Sequence, residues 1–201
     1  MEILSLLVVF GILWRLANRT SHRQRIARLS QHLSPLRIEM LMSTLMEGYL
    51  RALGESDAQR QQQVWGVLET AEAETEIQMG RLADSVRAMP AAQARISRVP
   101  MAVPRVEEWL PQLCFDLREA LAIHARGVAF VRAQHAWSHK QRAFTMTAEL
   151  MLMQHTCHWY CQSKLVASAR LLTRHKTRHD QVLAAVSPPT REAYVRLTSG
   201  R

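Results

Sequence analysis

In the run His155-Thr156-Cys157-His158-Trp159-Tyr160-Cys161, the thiols and the imidazole of Cys157, His158 and Cys161 are spaced for metal or redox chemistry. On a helix, Cys157 and Cys161 lie one turn apart on one face with His158 beside them. A helical hairpin turning near Trp137 would bring Cys114 opposite Tyr160, and three thiolates with an imidazole make a tetrahedral zinc set. The plainer chemistry is packing, because free cysteine behaves as a small buried hydrophobe. Spacing alone does not make a site. Core packing is therefore the expectation for Cys114, Cys157, His158 and Cys161, and no metal or other cofactor is assigned.

Two His pairs stand at helical spacing, His135 with His139 and His175 with His179. Two ligands do not close a metal site. The first pair reads as part of a polar turn and the second as a solvated basic face. Met40, Met42, Met46, Met146, Met151 and Met153 read as flexible core filler. Arg170, Arg174 and Arg178 recur every fourth residue with Lys164 and Lys176 nearby, opposite Leu165, Leu172, Val182 and Leu183. Such a basic stripe is either a solvated face or a surface for anionic lipid, an acidic protein or nucleic acid. Phosphate-binding glycine motifs are missing, as are H-E-x-x-H, C-x-x-C and G-x-S-x-G, so a non-catalytic protein is expected.

The elements that position these residues read as helices. Ala, Leu, Met, Gln, Arg and Glu are plentiful, aromatic and β-branched residues are scarce, and no alternating strand runs occur. The expected fold is all-α: an N-terminal anchor helix followed by antiparallel helical hairpins, as a bundle or an elongated coiled structure. Ser34-Pro35 is an opening cap and Gly54 a stop. Ser56-Asp57-Ala58-Gln59 has the pattern of a capping box, and the helix it starts carries a heptad-like seam weakened by Thr75, Gln78 and Ser85. Pro90, Pro100 and Pro104 bracket a linker. A helix from about Arg105, reset at Pro111, precedes a turn at Gln134–Ser138, where Ser138 begins a second capping box. The last helix is expected to run unbroken from His139 to Val186. The divisions are an anchor at 1–17, a basic juxtamembrane helix at 18–33, a hairpin at 34–89, the linker at 90–104, a long hairpin at 105–186 and a tail at 187–201.

The anchor carries the functional expectation. An apolar run from Ile3 ends in Trp14-Arg15, and no acid occurs between Glu2 and Glu39, whereas Arg15, Arg19, Arg23, Arg25, Arg28 and Arg37 all lie there. A helix over residues 2–17 spans roughly 24 Å, and Trp14, Arg15 and Arg19 suit a membrane interface that accommodates the shortfall. A cleaved signal peptide fits less well, because the run lacks a basic segment before it and small residues after it. Retained arginines mark the cytoplasmic side. An odd cysteine count without scaffold spacing suits a reducing compartment. The charge is uneven, with an acidic middle (Glu69, Glu72, Glu74, Glu76) and basic ends within a net +9.

These features point to a single-pass protein of a bacterial inner membrane. Its N-terminus would face out and the bulk of the chain would scaffold or recruit partners at the cytoplasmic face. The expected partners are the bilayer and proteins, or self-association through helices. The alternatives are a nucleic-acid-binding protein at the membrane, or a helical metal or redox protein.

Overall fold

The computed structural model describes residues 2–103 and 106–200, except that within the first helix the side chains of residues 2–8, 10, 13 and 17 lie outside the description. The chain is all-α in character. Its elements in order are α1 (Glu2–Leu33), α2 (Ile38–Gly54), α3 (Ala58–Arg87), β1 (Arg95–Ser97), α4 (Val106–Trp109), a 3-10 turn (Pro111–Leu113), β2 (Cys114–Asp116), α5 (Leu117–Arg132), α6 (His139–Cys161), α7 (Lys164–His175), α8 (His179–Ala185) and α9 (Pro188–Ser199).

Caps explain most boundaries. Asp57 Oδ1 accepts from the Arg60 amide at 2.8 Å and opens α3, one residue beyond the Ser56 expected for that role. Ser138 Oγ accepts from Gln141 N and opens α6. α2 begins at Ile38 rather than at Pro35, because α1 continues to Leu33 and the Ser34 amide still donates to Ser30 O. The expected anchor and juxtamembrane segments are therefore one continuous helix.

α2 presents Ile38, Leu41, Met42, Leu45, Tyr49 and Ala52 to α3 at helical spacing, and α3 answers with Trp65, Leu68, Ala71, Met79, Leu82 and Val86. α6 is the central element. It packs against α1, α2, α5, α7, α8 and β1, and it buries residues on almost every side. A helix covered all round loses the one-sided apolar pattern of a surface helix.

Three expectations are corrected. The linker contains a small antiparallel sheet, with Arg95 opposite Asp116, Ile96 opposite Phe115 and Ser97 opposite Cys114. Ile96 and Phe115 are buried, and Trp159 meets Phe115 edge-on with centroids 4.9 Å apart. The helix expected from Arg105 is not continuous: α4 stops at Trp109, Pro111 opens a 3-10 turn, β2 follows, and α5 starts at Leu117, where Asp116 Oδ1 caps by accepting from Arg118 N. The helix expected over His139–Val186 is three. Ser163 caps α7 by accepting from Val166 N at 3.3 Å, and Lys176 adopts a left-handed backbone at φ 53 that ends it.

Candidate functional site

A groove of about 700 Å3 opens where the second half of α1, the start of α2, the end of α6 and α7 meet. Leu29, Ile38, Met42, Met153 and Cys157 are buried residues of its lining. Arg37, Glu39, His158 and Arg170 also line it. Cys157 Sγ donates to Met153 Sδ at 3.6 Å. Burial pushes the Cys157 thiol up to about 12 and the Cys161 thiol up to about 11, so both are protonated near neutrality. A protonated thiol is a poor nucleophile and a poor metal ligand. His158 is held below its ordinary value, first by burial and then by Arg170 and Arg174. The wall that combines these three residues is uncharged and soft.

Cys114 is not part of it. It stands on β2, where its Sγ lies 3.8 Å from Leu110 O, because the residues expected to carry it on a helix form a strand instead. Among the described residues no group of three or more His, Cys, Asp or Glu is placed to hold a metal. Cys114, Cys157, His158 and Cys161 therefore do not close into a common site.

The basic stripe is also broken. Arg170 and Arg174 are exposed on α7, but Arg178 lies beyond the left-handed Lys176 and begins α8, where it pairs with Asp180 at 2.7 Å. Lys164 lies over the Trp159 ring at 5.1 Å. Leu165 and Leu172, expected on the buried side, are exposed, and Ala167 and Leu171 take that place. The His175–His179 pair is divided by the same turn and is not a solvated face. His175 shares a hydrogen bond with Gln154, while His179 packs against His155 with ring centroids 4.3 Å apart. His139 stacks on Trp65 at 4.7 Å.

Arg25 is the residue whose importance the sequence conceals, since there it is one arginine among six. It is buried, and it donates to Tyr160 O at 2.9 Å and to Glu107 Oε1 at 2.6 Å. That clasp joins α1 to the end of α6 and to α4. Below it Leu29 enters the core. Above it Val9, Ile12 and Leu16 are each more than half exposed, with Trp14, Arg15 and Arg19 exposed among them. The helix is thus fixed around Arg25 and Leu29, while Val9, Ile12 and Leu16 are exposed.

Among the described residues no helix is long and apolar enough to cross a membrane. Most of the apolar side chains expected to do so, within residues 1–8, 10, 13 and 17, lie outside the described residues. Comparison with protein-family models, curated proteins and solved structures finds no match.

Proposed function

We propose that this chain is a non-catalytic, membrane-tethered helical adaptor. Its N-terminal helix enters the bilayer and its bundle recruits partners at the cytoplasmic face of the inner membrane. The observation that supports this reading is α1 itself. Its second half is held by Arg25 and Leu29, while its first half leaves Val9, Ile12 and Leu16 exposed in water. Exposed large apolar side chains gathered on one element mark a surface with a partner. The arginines that follow, without an intervening acid, favour a bilayer with the bundle on the cytoplasmic side.

The test is extraction and topology of the full chain. Alkaline carbonate should leave it in the membrane pellet, and reporters fused at the C-terminus should work only when they are of the cytoplasmic kind. Release into the supernatant, or activity of a periplasmic reporter, would overturn the proposal.

A further inference from the structure

The tether gives no task to the groove between α1, α2, α6 and α7. Leu29, Ile38, Met42, Met153 and Cys157 are its buried lining, and Ile26 and Met40 line it while exposed. Its volume of about 700 Å3 falls within the roughly 300–1,000 Å3 of small-molecule pockets. Among the described residues the lining holds no Phe, Tyr or Trp, so there is no aromatic face on which a planar ligand could stack. Methionine and leucine side chains adapt instead to a flexible aliphatic one. The protonated thiols of Cys157 and Cys161 extend that uncharged wall. From Met153 to Gln162 the α6 wall runs for roughly 14 Å, a length that takes an extended lauryl chain.

The charges of the lining are few and uneven. Arg37 and Glu39 stand together at the start of α2, where their charges offset each other. Arg170, exposed on α7, acts on both His158 and Cys161, which places its guanidinium near the end of the α6 wall. Glu39 acts instead on Cys157, one turn back along α6. Among the described residues Arg170 has no carboxylate within ion-pair distance. An apolar channel with an unneutralised guanidinium at one end is complementary to a ligand that is aliphatic along its length and anionic at its head. A carboxylate takes charge-assisted hydrogen bonds from a guanidinium, and the neutral His158 ring beside it can add another.

We propose that this groove binds a medium-length fatty-acid anion. Its chain lies along Leu29, Ile38, Met42, Met153 and Cys157, and its carboxylate meets Arg170 beside His158. The site uses the second half of α1 and does not depend on the tether.

The experiment uses the full chain, phosphatidylcholine vesicles and a laurate carrying a diazirine at the end of its chain. Light fixes the probe to the residues it touches, and mass spectrometry of peptides locates it. The label should fall on residues 29–42 and 153–157, and laurate should displace it where dodecanol does not. Arg170→Gln should weaken laurate binding about tenfold and Arg170→Lys much less. Arg170 is exposed, so both variants should keep the fold, which circular dichroism checks. Equal displacement by dodecanol, or labelling indifferent to Arg170→Gln, refutes the anionic head. A label confined to the first half of α1 refutes the groove. A phosphatidylcholine with the same diazirine chain that labels residues 29–42 and 153–157 as strongly makes the occupant a bilayer lipid and refutes the fatty acid.

Discussion

The two apolar clusters of this bundle solve the burial of polar groups in opposite ways. The larger, around α1, α2, α3, α5 and α6, buries charge in pairs. Glu72 accepts from Tyr49 OH at 2.7 Å and from Arg142 Nη2 at 2.6 Å, and Arg25 holds Glu107. The smaller, where α5 and α6 meet α7, α8 and α9, buries histidines that stay neutral. His124 Nε2 and Thr156 Oγ1 lie 2.9 Å apart, and Thr156 in turn meets Tyr194 OH at 3.0 Å. His155 bonds Ser168 and packs against the tilted ring of His179. Glu149 accepts from both the amide and the hydroxyl of Ser187, yet burial holds its carboxyl above the ordinary value. A paired charge resists pH change but is costly to break. A neutral buried histidine carries no such cost until the pH falls. The same chain is therefore vulnerable to mutation at one end and to acid at the other.

Acid should produce the largest effect. Burial lowers His124 to about 3, His155 to about 2 and His179 to about 4, and the charges of His179 and Lys164 add to the shift at His155. In the unfolded chain each protonates near 6.5. Their stabilising contribution is complete above about pH 6.5 and is lost as the pH falls through the window down to the folded values. Each such histidine contributes about 1.4 kcal/mol per pH unit of loss within its window. Glu149, with its raised value, acts with the opposite sign near its own titration. Urea midpoints should fall steeply from pH 7 to pH 5, and His179→Asn should flatten the slope. A flat profile in the unaltered protein would erase the contrast between the clusters.

Breaking a charge pair comes next. Arg142→Met leaves Glu72 buried without its cation and should cost about 3–5 kcal/mol. A double Glu72→Met, Arg142→Met variant should cost less than the two single changes together, as measured by a denaturation cycle. Additive costs would mean that the pair is not a unit.

Gly127→Ala should cost about 1–3 kcal/mol by overpacking. A Cβ there collides with Thr190 Oγ1 and the Glu149 carboxyl. The loss should grow at low pH, where the same cluster is already weakened; a loss that stays constant with pH would uncouple the glycine from the histidines.

The smallest expected change is at Arg178. Its partner Asp180 sits beside it at the surface, so Arg178→Gln should leave stability within about 0.5 kcal/mol and vesicle binding unchanged. A marked loss of vesicle binding would restore the unbroken stripe as a working surface.

Legibility in the sequence followed the range of the interaction. Ser138 and Gly54 act on residues a few positions away, and each marks a helix end in the structure. Thr75 and Gln78 look like flaws in the α3 seam. They are buried because each finds a partner one turn back, Ala71 O for Thr75 and Glu74 for Gln78. The three-residue strands are too short for an alternating pattern to show. The break at Ser163 sits among helix formers with no glycine or proline to announce it. The groove and the Arg25 clasp depend on chain segments that composition cannot bring together. Those long-range pairings decide which of six arginines is buried and which cysteines share a wall.

The Arg25 clasp also orders events during synthesis. Its acceptor on Tyr160 lies 135 residues downstream, so at roughly 5–20 residues per second α1 waits about seven to twenty-seven seconds before that bond can form. Throughout that interval α1 can pack only on the nearer segments of the chain, α3 among them, and its clasp stays open.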